Sequence, residues 1–112
     1  MTKLQTEAFT QLAIALPIDA IQAFCRRWQI AELAVFGSIL RDDFRADSDV
    51  DFLYVLKPNT HWKLMDLIGA EEELTHLLGR EVDLVGKVSI EQSHNWLRKQ
   101  NILLSAKVIY ED

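Results

Sequence analysis

The chain has 112 residues, of which 49% are hydrophobic and 26% charged, with a formal net charge of −5. This apolar fraction excludes a disordered chain, and the length supplies one domain's worth of core. The acidic balance, unrelieved by any Lys/Arg run, argues against sequence-independent nucleic-acid binding, which depends on Lys and Arg displacing counterions from phosphates.

Residues 3–15 carry Leu4, Ala8, Leu12 and Ala15 at helical spacing. Pro17 suits the first turn of a second helix, where its missing N–H costs nothing. The stripe of that helix is Ile18, Ile21, Phe24/Cys25 and Trp28. Cys25 is the sole cysteine, so no internal disulfide exists, and its apolar surroundings make it a buried small hydrophobe. The first residues lack the apolar core of a signal peptide, and no apolar run approaches the ~18 residues of a membrane span. A reducing cytoplasm, without membrane association, is the expectation.

Leu33 to Phe36 reads as a strand over 32–36, ending at Gly37. Residues 38–48 are polar and open with a helical turn. Residues 49–56 are rich in β-formers and predict a second strand, stopped at Lys57-Pro58-Asn59. The spacing over 60–78 predicts a helix with Leu64, Leu67/Ile68, Leu74 and Leu77/Leu78 on one side and Gly79 at its C-terminus. Glu81 to Val85 is a third strand. Ser89 and Gln92 fit a capping box for a helix over 90–100. Val108 to Tyr110 forms an edge strand. This order describes one α/β domain, residues 1–112, with a small mixed sheet flanked by helices.

Three strand residues carry the chemistry: Asp49, Asp51 and Asp83. Aspartate is disfavoured in strands. Asp49 and Asp51 are two apart and leave one face of the second strand, while Val50 and Phe52 leave the other. Asp83 interrupts an otherwise apolar strand. If the second and third strands are neighbours, the three carboxylates can converge. Converging carboxylates repel unless protonated or bound to a cation, and an all-oxygen set suits Mg²⁺ or Mn²⁺. Two such ions ~3.5–4 Å apart clamp the oxygens of an in-line phosphoryl displacement. Gly37-Ser38, at the end of the first strand, offers close backbone approach, free N–H groups and a hydroxyl to a phosphate. An EF-hand reading of Asp47-x-Asp49-x-Asp51 fails, because Phe52 stands at the required glycine and Pro58 at the bidentate glutamate. Taken alone, a strand-end aspartate is a turn or cap residue and Gly-Ser a generic turn.

Together, Gly37-Ser38, Asp49-x-Asp51 and a later Asp83 resemble the signature of the DNA polymerase beta-like nucleotidyltransferase superfamily. The stretch Phe36-Gly37-Ser38-Ile39-Leu40-Arg41-Asp42-Asp43-Phe44-Arg45-Ala46-Asp47-Ser48-Asp49-Val50-Asp51 looks like its minimal nucleotidyltransferase branch. The resemblance covers about residues 30–110. It implies a polymerase beta-like α/β fold and an antitoxin of a type VII-like pair, which transfers AMP from ATP to a tyrosine of a HEPN-domain ribonuclease toxin. It further implies that Asp49 and Asp51 ligand two Mg²⁺ ions. Asp83 would complete the nucleophile-side metal site, and Gly37 and Ser38 would hold the β/γ phosphates.

Arg41 either reaches the triphosphate or pairs with Asp42, Asp43 or Asp47. Ser48 is placed to orient Asp49 through a hydrogen bond. Arg45 and Lys57 read as solvated cations, and His61, His76 and His94 as surface or cap residues. Of three tryptophans, Trp96 is the candidate exposed anchor, while Trp28 and Trp62 belong to the core. Tyr110 is an edge-strand aromatic or, less plainly, a nucleotide acceptor. A chain this size leaves no separate substrate domain, which suits a protein acceptor that brings its own surface. Two alternatives remain open on the sequence: a non-catalytic antitoxin that acts by occlusion, and a stand-alone transferase acting on a small molecule.

Overall fold

The first helix among the described residues, α1 (Ile18–Arg27), buries Ile21, Phe24 and Cys25 along one stripe. A computed structural model describes residues 16–40, 44–45 and 47–112; the helix expected over 3–15 lies outside them. Pro17 is the N-cap of α1, one position before the expected first turn, and its carbonyl accepts the Ile21 N–H at 2.9 Å. Asp19 in the first turn and Arg26 and Arg27 in the last complement the helix dipole.

Strand β1 (Ile30–Phe36) starts two residues earlier than expected because Ile30 is itself fully buried. A 3-10 turn over Gly37–Leu40 follows, then β2 (Val50–Leu56), α2 (Leu64–Leu78), β3 (Val82–Gly86), α3 (Lys87–Glu91), α4 (Trp96–Ser105) and β4 (Lys107–Glu111). The sheet order is β3-β2-β1-β4. β1 runs antiparallel to both β2 and β4, whereas β2 and β3 are parallel. A parallel neighbour requires a crossover, and α2 supplies it. The expected small mixed sheet with flanking helices is thus what forms.

Side-chain alternation splits the core in two. Leu33, Val35, Val50, Phe52, Val82 and Leu84 pack with Ile21, Phe24, Ala70 and Leu74 beneath α1 and α2. Ala34, Phe36 and Leu53 pack with Ile90 of α3 and Ile102 of α4 on the opposite face. Asp51 shares its parity with Leu53, and Asp83 with Val85, so both acids belong to the α3/α4 face.

Two helices differ from the sequence reading. Helix α2 begins at Leu64 rather than at 60, because Trp62 is used elsewhere. Its indole stacks on Tyr54 with centroids 4.8 Å apart, meets Trp28 edge-on at 5.8 Å, and donates to the Trp28 carbonyl at 3.1 Å. The Asp66 carboxylate then accepts the Lys63 N–H at 2.9 Å and opens the helix. Leu64 is largely exposed, and Ala70 and Leu74 form the buried contact of α2. Gly79 closes α2 in the left-handed region, φ 69°, as expected.

The single helix expected over 90–100 is two helices, and the Ser89/Gln92 capping box is not made. Ser89 lies inside α3, which buried Ile90 pins to the sheet. The polar break Ser93-His94-Asn95 ends that segment. Asn95 caps α4 instead, its side-chain oxygen accepting the Arg98 N–H at 3.1 Å. Asn95→Ala should therefore cost about 1 kcal/mol, read as a denaturation-midpoint shift with an unchanged m-value. A Ser89→Ala change should move the midpoint less.

Cys25 is fully buried, and burial pushes its thiol up from 9.0 to about 12. So high a pKa leaves almost no thiolate near neutral pH. We expect no alkylation of the native chain by iodoacetamide at pH 8 and rapid alkylation after unfolding in urea, as read by mass spectrometry.

Candidate active site

Where β1 ends, the chain must turn sharply without leaving the sheet, and Gly37 does so at φ +78°. Phe36 is the register partner of Asp51 in β2, and Asp51 is in turn the partner of Asp83 in β3. In a parallel pair, register partners leave the same face with strands about 4.8 Å apart. The neighbourhood of strands two and three, left conditional on the sequence, is therefore real.

The bare backbone of Gly37 faces the Asp51 carboxylate. A Cβ placed on Gly37 would lie 2.4 Å from Asp51 Oδ2, closer than any real contact allows. The absence of a side chain at residue 37 is what lets the carboxylate occupy this position. Ser38 Oγ donates to the Asp49 carbonyl at 3.3 Å, tying the turn to the segment that leads into β2. The antiparallel return of β2 along β1 thus brings the Gly37-Ser38 bend beside Asp49 and Asp51.

Asp49 and Asp83 are exposed, and Asp51 is partly buried. Among the described residues, no three His, Cys, Asp or Glu side chains stand grouped as a metal-holding set. The backbone brings Asp51 and Asp83 side by side on one face, with Asp49 two residues before Asp51 and just outside β2; the three side chains do not close on a single point. The exposed Asp49 and Asp83 carboxylates can change rotamer toward a bound cation. The donor set fits a hard divalent cation: three carboxylates on adjacent segments beside a glycine that leaves space.

The segment before Asp49 is braced in a way the sequence did not reveal. Ser48 Oγ accepts the Arg45 N–H at 2.9 Å, and the Ser48 N–H donates to the Arg45 carbonyl at 3.1 Å. The Ser48 hydroxyl therefore closes its own turn instead of orienting the Asp49 side chain as expected. Arg80 Nη1 donates to the carbonyls of Arg45 and Ser48, both at 3.2 Å. Its guanidinium lies 4.8 Å from the centroid of the Phe44 ring. On the outer edge of β3, Glu71 of α2 accepts the Leu84 N–H at 3.0 Å and holds the strand that carries Asp83.

Arg41, with Asp42 and Asp43, lies outside the described residues. Arg45 is exposed as expected, but Lys57 is no solvated cation: it pairs with Asp112 at 3.0 Å. His61, His76 and His94 are all exposed. Trp28 and Trp62 pack together, whereas Trp96 is 69% exposed on α4, beside exposed Leu97. Tyr110 is fully buried, consistent with its edge-strand reading and not with an accepting hydroxyl.

The model of the nucleotidyltransferase domain family matches residues 18–109, and the chain belongs to that family. Over 65 residues it is 42% identical to the protein adenylyltransferase MntA of Thermococcus cleftensis, a match covering 58% of this chain and 64% of that protein. The aligned stretch is thus just under two thirds of the relative's length. A solved protein provisionally named a minimal nucleotidyltransferase superposes with a TM-score of 0.62 at 29% identity, covering 80% of this chain and 86% of that one. A toxin–antitoxin crystal structure with AMP-PNP gives a TM-score of 0.66 at 18% identity, over 87% of this chain and 75% of that one. At that identity the likeness shows the fold. No helix among the described residues is long and apolar enough to cross a membrane.

Proposed function

We propose that the chain is a Mg²⁺-dependent protein adenylyltransferase, the antitoxin of a toxin–antitoxin pair. It would transfer AMP from ATP to a tyrosine of a HEPN-type ribonuclease partner and so inactivate it. The observation that carries this reading is the Asp51 carboxylate held against the bare Gly37 backbone, with Asp83 in register beside it. The similarity to an adenylyltransferase and to a toxin–antitoxin with AMP-PNP supports the choice of nucleotide and of acceptor class.

In the reaction, the tyrosine oxygen attacks the α-phosphorus, the α–β phosphoanhydride breaks, and pyrophosphate leaves. Divalent cations, when bound, neutralise the charge on the triphosphate and favour the ionised hydroxyl. Asp49 and Asp51 would hold both ions. Asp83, on the neighbouring strand, would complete the nucleophile-side set and accept the hydroxyl proton. The Gly37 and Ser38 N–H groups and the Ser38 hydroxyl would orient the β and γ phosphates, with the serine exchanging its present bond to the Asp49 carbonyl. Two ions, a single domain spanning residues 1–112 and a cytoplasmic setting belong to the same reading.

The test is to incubate the chain with ATP, Mg²⁺ and a HEPN-type ribonuclease encoded beside it, and to weigh that protein. An AMP-sized gain that Asp51→Asn abolishes supports the proposal; equal masses with both proteins overturn it. A second reading, neutralisation by binding alone, draws on the apolar exposure of Trp96, Leu97 and Leu104 on α4. Full protection of cells by an Asp49→Asn/Asp51→Asn double variant would favour it.

A further inference from the structure

Asp49 lies just outside β2, which begins at Val50, so the sheet ladder alone does not fix its direction. What precedes it does. Arg45 and Ser48 are joined by two hydrogen bonds, between the Arg45 N–H and Ser48 Oγ and between the Ser48 N–H and the Arg45 carbonyl. A pair joined in this way still needs an anchor to the rest of the molecule. We propose that Arg80 is that anchor: a positioning residue that locks the Asp49 segment to strand β3 and so sets the spacing of the acids that hold the divalent cations. The inference rests on the reading of Asp49, Asp51 and Asp83 as cation ligands.

Arg80 follows Gly79, the left-handed residue that ends α2, and stands three positions before Asp83. From there a single nitrogen, Nη1, donates to the Arg45 and Ser48 carbonyls. The second of these belongs to the peptide unit that leads directly into Asp49. Val50 adds a parallel tie, its N–H donating to the Glu81 carbonyl at 3.1 Å. The Phe44 ring stacks on the guanidinium and limits its rotation. One side chain thus joins the two stretches of backbone whose acids must meet. Groups that orient metal ligands indirectly typically alter affinity by about 10–100-fold when removed.

The sign of the effect separates this role from a simple field effect. A fixed cation near a divalent site, acting through charge alone, opposes metal binding, so its removal would tighten the site. Positioning demands the reverse. Lysine keeps the charge and the donors but loses the planar face that stacks on Phe44.

The experiment titrates the purified chain with Mn²⁺ alone and reads binding by water-proton relaxation. Arg80→Ala should raise the Kd at least about 10-fold, with Arg80→Lys between it and the wild type. A Kd for Arg80→Ala equal to or below that of the wild type overturns the inference. Asp51→Asn is the control on the underlying reading. If the wild type and Asp51→Asn bind Mn²⁺ alike, the metal site itself is wrong; if Asp51→Asn alone loses binding, only the role of Arg80 is. Should Arg80→Ala fail to fold, Phe44→Ala removes the stacked ring and leaves both hydrogen bonds. A roughly threefold rise in Kd supports the clamp and an unchanged Kd refutes it.

Discussion

Asp51→Asn is expected to lower kcat for AMP transfer at least about 10³-fold, equivalent to about 4 kcal/mol of transition-state stabilisation, while leaving the fold in place. Asp51 is the middle member of the proposed set. It is the register partner of Phe36 on one side and of Asp83 on the other, and its carboxylate lies against Gly37. No neighbouring side chain can substitute from that position. Asparagine has nearly the same shape and keeps one acceptor oxygen, so the local packing survives. Removing one of three like charges also relieves repulsion. The melting temperature without metal should move by no more than about 3 °C, the range of a substitution worth half a kcal/mol. Adding Mg²⁺ should then raise the melting temperature of the wild type and not of the variant, because only a native state that binds the ion is stabilised by it. Normal transfer by a folded Asp51→Asn protein would remove the catalytic reading.

The same residue marks how far the sequence carries. The two-residue period of a strand put Asp51 on the face opposite Val50 and Phe52, and it shares that face with Leu53; Asp49, read as a strand residue, lies just outside β2. Gly37-Ser38 meets the acids because β2 returns antiparallel along β1. The exact partner of Asp83 was not legible. Parallel register depends on the length of α2 and on how it packs, and α2 starts four residues later than its apolar spacing implied. The late start has a tertiary cause, since Trp62 gains more by packing on Tyr54 and Trp28 than by joining a helix. The break between α3 and α4 was hidden for a local reason: Ser89-x-x-Gln92 fits a capping box, but Ile90 is buried within α3 and the cap that forms is Asn95. Arg80 left no sequence signal at all. An arginine after a helix-ending glycine reads as a solvated charge until the carbonyls it reaches are located.

Gly37 and Gly79 separate backbone strain from chemistry. Both hold positive φ, +78° and +69°, so alanine at either position costs about 1–2 kcal/mol for the left-handed conformation. Around Gly79 an added Cβ meets nothing within 4 Å. At Gly37 the same Cβ meets Asp51 Oδ2 at 2.4 Å. A side chain gives way more easily than paired backbone, so the carboxylate will be displaced before the sheet yields. The extra cost of Gly37→Ala therefore falls on the site more than on the fold. Both variants should melt several degrees below the wild type, on the order of 4–8 °C per kcal/mol lost. Only Gly37→Ala should lose activity, by at least about 10²-fold, because the displaced carboxylate no longer faces the triphosphate turn. It should also bind Mn²⁺ more weakly, whereas Gly79→Ala should bind it as the wild type does. Equal activities for the two alanine variants would mean that the Gly37–Asp51 contact is a packing detail and that the nucleotide is held elsewhere.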